Sequence, residues 1–289
     1  MRLSPLTPTA PAAAAAVPAA PALAPAAAAP APADDPRVAI AAAAERARTF
    51  FTGLGVTEAE GNGPVELRYD ESVKDAAYQA TISTGANGDR LRTDEHVLIG
   101  HDPFTGQPFS KAPDIVYHEL THRINEHIVP GFGLTETSRV VDESIADTFA
   151  AAIDGNWKIG EGVVSEGMRS LEDPSWQLML SPTGRVRVDT PTNMNEITTA
   201  NMAKGPYFNI GPLNHAAFLI GSKLGTEPMA RIYLQTLRKH LHASSAMTDL
   251  ILGTIKSAGE LYQPGSAQQT AVRDAWKAVG VRPAAVDSV

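Results

Sequence analysis

The sequence predicts an α+β protein of two lobes, with one buried helix along the floor of the cleft between them. Before residue 113 the recognisable segments are one Ala-rich helix and short β-like runs, whereas after residue 131 nearly all periodic segments have helical spacing. Between these regions, Ile115, Val116, Leu120 and Ile124 recur at the spacing of a buried helix face. Beyond an N-terminal stretch of low complexity, about 250 residues remain, enough for one large domain or two lobes sharing a cleft.

Taken in order, Met1 to Asp35 is almost entirely Ala and Pro, with no charge between Arg2 and Asp34. Proline recurs there too often for a stable helix, so residues 1–35 are expected to form a disordered, partly extended arm. The arm reads poorly as a signal peptide, because prolines interrupt any apolar core and Arg2 alone is a thin basic start. Val38 to Phe51 reads as a helix ended by Gly53 and Gly55. Short strands are expected at Val65–Tyr69 and His96–Ile99, separated by polar turns such as Ala86-Asn87-Gly88-Asp89. Pro113 opens the buried helix and Pro130-Gly131 closes it, so an α+β N-lobe spans 36–131 and includes that helix. An all-helical C-lobe follows over 132–289, with helices from about Thr137 to Ile153, Leu213 to Leu224, Glu227 to Leu241, Met247 to Leu261 and Ala267 to Val279. No internal repeat is evident.

Composition excludes several classes. A net charge of −8 and a pI near 5.5, with no basic stripe, argue against nucleic-acid binding. No segment after the Ala/Pro arm has 18 consecutive apolar residues, so no membrane span is expected. The absence of Cys excludes disulfides and cysteine catalysis and is compatible with a secreted or exported protein.

The buried helix carries His118-Glu119-Leu120-Thr121-His122. Positions i and i+4 lie on one helix face a turn apart, so both imidazoles can reach one metal ion while Glu119 points toward a water on that ion. Chance supplies such a pattern on the order of once per hundred chains of this composition, so the setting decides. The setting is a buried helix, and a second one follows. On it Glu143 and Asp147 are again i and i+4, flanked by apolar Val140, Val141, Ile145 and Phe149. Glu143 is the candidate third zinc ligand, and Asp147 the candidate acceptor for the distal nitrogen of a ligand His. The chemistry implied is hydrolysis by zinc-activated water with Glu119 as its base.

At these residues the chain resembles the thermolysin-like metallopeptidases, zincins whose third ligand is a glutamate. Asp142-Glu143-Ser144-Ile145-Ala146-Asp147-Thr148-Phe149 is similar to the family's N-E-A-x-S-D-x-F segment. Asn156-Trp157-Lys158-Ile159-Gly160-Glu161, Met168-Arg169-Ser170-Leu171-Glu172-Asp173-Pro174 and Asn209-Ile210-Gly211-Pro212-Leu213-Asn214-His215-Ala216-Ala217-Phe218 resemble further runs in the same order, from about residue 95 to the C-terminus. The resemblance implies a two-lobed zincin fold and an endopeptidase acting as a monomer on peptide or protein substrates. It gives Arg169 the task of hydrogen-bonding the carbonyl at the scissile bond, against the plainer reading of a pair with Glu172 or Asp173. It lines a pocket with Phe109, Ile115, Ile159, Val163 and Met168, hence cleavage before bulky apolar residues. It also implies calcium, with Asp114, Asp154, Asn156 and Glu161 at ligand positions; the short loop and Lys158 favour one ion, or a lysine in place of a second.

Two departures from the family pattern bear on mechanism. Tyr207 stands where the family has a histidine, and Met202 where an aspartate orients it. Tyr207 can substitute as an oxyanion donor, or be a packing residue in a weak enzyme. His215 is the nearest histidine, inside the following helix. The stretch between the two metal helices is short, with Leu134, Thr135 and Glu136 in place of a tyrosine. The strand that would pair with substrate falls near Asp89-Arg90-Leu91-Arg92, where the arginines suggest a taste for acidic residues. Two rivals stay open: a zinc aminopeptidase, against which stands the lack of a G-x-M-E-N-like amine anchor, and a degenerate homologue that binds peptides without cutting them.

Overall fold

The computed structural model describes residues 35–84, 90–181, 184–287 and 289. The expected arm, apart from Asp35, and the expected turn at 86–89 lie outside them.

Helix α1 (Pro36–Gly53) begins where Asp35 accepts a hydrogen bond from the Arg37 amide at 2.9 Å and Pro36 fills a first-turn position. It buries Ile40, Ala43, Ala44, Ala47 and Phe51, one helical stripe. A three-stranded sheet follows: β1 (Glu66–Tyr69), β2 (Ala76–Thr84) and β3 (Arg90–Ile99), in the order β1-β3-β2. β3 runs parallel to β1 and antiparallel to β2. Strand β2 was not expected from sequence. Its residues are half-buried at best and rich in Ala, Ser and Thr, so it lacks the buried alternation that marks a strand. The expected substrate-side edge near Asp89–Arg92 is corrected with it: β2 is the edge strand that meets the cleft. Arg92, in β3, is tied instead to the last turn of the next helix, its Nε donating to Glu126 at 2.5 Å.

Helix α2 (Pro113–Ile128) follows the expected bounds and is buried along most of its length, with Val116 and Tyr117 fully enclosed. Helix α3 (Glu136–Asp154) is N-capped by Thr135, whose hydroxyl accepts from the Ser138 amide at 3.1 Å, and it ends at Gly155 with a left-handed φ of 88°. The two helices pack against each other. Phe149 of α3 meets Phe51 of α1 at 5.3 Å between ring centroids, which joins the zinc-motif helix pair to the first helix.

The second half is mainly helical but contains a four-stranded antiparallel sheet: β4 (Lys158–Ile159), β5 (Arg169–Ser170), β6 (Trp176–Ser181) and β7 (Gly184–Asp189), in sequence order. This sheet departs from the expected all-helical lobe. β4 and β5 are two residues long, too short for any periodicity to register. Two single-turn helices, α4 (Thr199–Met202) and α5 (Pro206–Asn209), lead to α6 (Gly211–Leu224), α7 (Thr226–His240), α8 (Met247–Tyr262), α9 (Ala267–Ala278) and the short α10 (Pro283–Val286). Helices α6 to α9 match the expected ones to within two residues at either end and bury Tyr233 and Trp276 completely. The Trp276 indole donates to Thr254 at 2.8 Å, satisfying its one polar atom.

Candidate metal centre

His118 and His122 stand one turn apart on α2 and face Glu143 of α3. His118 Nε2 lies 3.1 Å from Glu143 Oε2 and 3.0 Å from His122 Nε2, which is itself 3.5 Å from the same carboxylate oxygen. Behind each ring is a second carboxylate. His118 Nδ1 is 2.9 Å from Asp147, and His122 Nδ1 is 2.9 Å from Asp142. With Nδ1–H donating backwards, both Nε2 atoms turn lone pairs toward one another and toward an anionic oxygen. Such an arrangement is stable only around positive charge. Two imidazole nitrogens and one carboxylate oxygen, all within 4.8 Å of one another, are the three-ligand donor set of a catalytic zinc site, so the residues fit that ion.

The electrostatics agree. Burial drives both imidazoles toward neutrality, but hydrogen bonds to Asp147 and Glu143 outweigh it at His118, whose pKa rises to about 9 without metal. His122 is raised well above the usual range by Asp142 and Glu143 despite burial. Burial works against the charge on Glu143, yet His122 and His118 hold its carboxyl well below the ordinary value.

Asp142 was missed in the sequence; the only signal was its place beside Glu143. Its second oxygen accepts from Asn125 at 2.8 Å. Gly133, at φ 80°, allows the approach, since a Cβ there would lie 2.6 Å from Asp142 Oδ2. Asp147, fully buried, is held by the Arg169 fork at 2.7 and 2.6 Å and by Asn214 Nδ2 at 2.8 Å. Asn214 was also unassigned. Arg169 thus pairs with Asp147, while Asp173 is occupied by Ser175 and Trp176.

A cavity of about 350 Å³ opens beside these groups. Glu119 faces it, with Oε2 accepting from the Tyr78 amide of β2 at 2.8 Å, and burial raises its pKa against the pull of the two histidines. Phe109, Ile115, Ile159 and Met168 line it; Val163 does not and is buried in the core. The β6–β7 hairpin supplies a wall that sequence reasoning missed, through Gln177 to Leu180 and Arg185.

Tyr207 stands on α5 and lines the cavity, its ring 5.0 Å from Arg169 Cζ and its phenol near enough to Glu143 to feel that charge. Burial and the Glu143 charge raise the phenol well above its usual pKa, so it stays a donor. Met202 packs against the core. His215 is away from the cavity, with Nδ1 3.1 Å from the Leu171 carbonyl. Leu134 is exposed and Thr135 is committed to capping α3.

Of the four positions considered for calcium, Asp114, Asp154 and Glu161 lie near enough for their charges to act on one another, and each of the four is engaged with a protein partner. Among the described residues the His118, His122 and Glu143 set is the one grouping of acidic and His side chains able to hold a metal. Asp114 accepts from the Gly160 and Ile115 amides, Asn156 donates to Asp154, and Lys158 pairs with Glu161 at 3.5 Å. The Arg46 guanidinium reaches the same place, donating to the Ile153 carbonyl at 2.6 Å and the Asp154 carbonyl at 3.3 Å.

A helix pair presenting two His and one Glu to a cleft is the donor arrangement of the zincin class. The family model "Thermolysin metallopeptidase, alpha-helical domain" matches residues 131–281, and the chain belongs to the thermolysin family. Bacillolysin of Bacillus caldolyticus and thermolysin of Alicyclobacillus acidocaldarius are each 26% identical over 239 residues, covering 74% of this chain and 41% of theirs. A zinc metalloproteinase of Listeria monocytogenes is 31% identical over 199 residues, 65% of this chain and 36% of its own. The chain therefore spans about two fifths of the length of the curated relatives it matches. In fold it is similar to the precursor of protealysin, a metalloproteinase from Serratia proteamaculans, with a TM-score of 0.69 at 21% identity over 86% of this chain and 80% of that one.

Proposed function

We propose that this chain is a zinc-dependent endopeptidase that cuts peptide bonds before bulky apolar residues. The observation that carries this reading is the convergence of two imidazole lone pairs and the Glu143 carboxylate beside Glu119, at the edge of a partly apolar cleft. A zinc ion held by His118, His122 and Glu143 would supply Lewis acidity to the site.

The chain's own groups do the rest. Edge strand β2 offers backbone groups to an extended peptide. Glu119 has one oxygen fixed by Tyr78, which leaves Oε1 to take a proton from the attacking water and deliver it to the departing amine. Its burial raises its proton affinity, which suits a base that must also act as an acid. Arg169, oriented by Asp147, donates to the carbonyl oxygen as it becomes negative. The Tyr207 hydroxyl, on a ring beside Arg169 in the same cavity, would add a second bond to that oxygen. Phe109, Ile115, Ile159 and Met168 seat the apolar residue after the bond. An exported location belongs to the same proposal; among the described residues no helix is long and apolar enough to cross a membrane. Calcium gains no support from the geometry around Asp114 and Arg46.

A second reading, a peptide-binding homologue of little activity, draws on one observation: Tyr207 lines the cleft in place of the family's histidine, and Met202, in place of the aspartate, packs against the core. Zinc-loaded wild type and Glu119→Gln, each incubated with an unstructured polypeptide, separate the two. Cleavage by wild type alone is expected. Zinc retained by both with no cleavage by either would establish the binding protein, and zinc retained by neither would remove the metal reading.

A further inference from the structure

Arg185 brings into the cleft a positive charge that the proposed chemistry does not use. It lies on β7 opposite Leu180 of β6, and both line the cavity that contains His118, Glu119 and Arg169. Its Nε, at 2.8 Å, and its Nη2 both donate to one oxygen, Asp102 Oδ2. A guanidinium has five N–H donors, so three are not directed at Asp102. Asp102 belongs to the segment between β3 and α2 and is fully buried. Its other oxygen is filled by the amides of Phe104 and Thr105, at 2.9 and 2.8 Å. Asp102 therefore has no further oxygen to offer and serves to fix the Arg185 plane. The pair also bridges from the N-terminal half to the second sheet, at the side of the cavity walled by Pro103 and Leu180.

The charge balance of the cavity points the same way. Its ionisable lining is Lys74, Arg169 and Arg185 against Asp75 and Glu119, besides the histidine of the metal centre. Burial pushes the Asp75 carboxyl up toward its neutral form. Away from Glu119, the walls favour an anion. An Arg fork with spare donors in a partly apolar surround suits a planar carboxylate, bound through two parallel hydrogen bonds.

We infer that Arg185, held in place by Asp102, is a specificity-determining residue that binds a substrate carboxylate close to the residue seated among Phe109, Ile115, Ile159 and Met168. This rests on the peptidase reading of the site. The carboxylate has two possible sources, an acidic side chain or the free C-terminus of a short peptide.

Zinc-loaded Glu119→Gln protein tests this without turnover. Its affinity is measured for matched fluorescent peptides with Leu as the apolar residue, carrying Glu or Gln one or two residues later and ending in a free carboxylate or an amide. The expected result is about tenfold or more tighter binding when one of these carboxylates is present, and the peptide pair that differs identifies the source. In Arg185→Met that ratio falls to near one, and in Arg185→Lys it is intermediate, because the charge remains but the fork is lost. If Arg185→Met does not fold, since it strands a buried Asp102, the paired Asp102→Asn/Arg185→Met variant replaces it, with a melting curve as control. Equal binding of all peptides overturns the inference, as does a carboxylate preference that survives without Arg185. A wild type that cleaves nothing, while the binding preference holds and depends on Arg185, overturns the peptidase reading and leaves the subsite standing.

Discussion

Tyr207 is the side chain on which the proposed chemistry turns. Its ring lies against Arg169, whose charge it shares with Asp147, and its phenol feels the Glu143 carboxylate. As an oxyanion donor, it should lose about 10²–10³ in kcat as Tyr207→Phe, with zinc content unchanged by metal analysis. A loss below tenfold would return it to a packing role. The histidines yield a pH prediction. Without metal, the folded pKa of His118 is about 9 against 6.5 unfolded, so its protonation stabilises the fold fully below about 6.5, and that contribution is lost as pH rises through about 9. Glu143 and Asp147 are shifted downward, so their contribution fades in acid instead. The Tm of the metal-free protein should therefore fall between pH 6.5 and 9, and saturating zinc should flatten that slope. A Tm that rises over this window would refute the account. At this scale the sequence was readable where helical spacing decides geometry, as for His118, His122 and Glu143. Asp142 was hidden because neighbours on a helix point about 100° apart, and spacing alone does not say that two adjacent carboxylates serve two different histidines.

The helices were legible because each has a long apolar stripe and a marked end: Asp35-Pro36 for α1, Pro113 for α2, Thr135 and Gly155 for α3. The sheets were not. β2 earns its place through an amide on Glu119 and the Tyr78 hydroxyl on Glu95 at 2.9 Å, contacts no pattern of hydropathy encodes. The β6–β7 hairpin, which walls the cleft, has partly exposed faces and so presents a weak alternation. Between elements, Arg46 of α1 sits on the terminal carbonyls of α3, where a cation is favoured by the helix dipole. It also lies near Asp154, one of the positions that the resemblance gives to calcium. Arg46→Met should lower stability by about 1–3 kcal/mol in denaturant unfolding. In the same assay, wild type at fixed zinc should be indifferent to millimolar calcium; a midpoint that rises with calcium would count against the guanidinium's role.

For the whole molecule, α2 is both the floor of the cleft and a core element. Val116, Tyr117 and Ile124 are buried in the core, while the turn bearing His118 and Glu119 meets the cavity. Catalytic geometry and folding stability therefore share one helix. The α+β character and the cleft position could be inferred from where periodicity changes along the chain. The wall opposite the edge strand could not, because it is assembled from β4 to β7, segments of two to six residues whose partners are set by tertiary contacts.

The modest cavity between β2 and the β6–β7 hairpin has a consequence for what the protein can act upon. A helix with its side chains is about 10–12 Å across, and a folded domain is larger still, whereas this space of about 350 Å³ suits a few residues of extended chain. For the proposed peptidase, substrates would thus be screened by conformation before they are screened by sequence. For a compact target, the rate of cutting should follow the fraction of time its own segment spends locally unfolded. Destabilising a reporter domain by 1.4 kcal/mol should speed its cleavage about tenfold, with the scissile sequence untouched. On this account the protein acts as a gauge of disorder in other proteins, and a cleavage rate independent of reporter stability would disprove it.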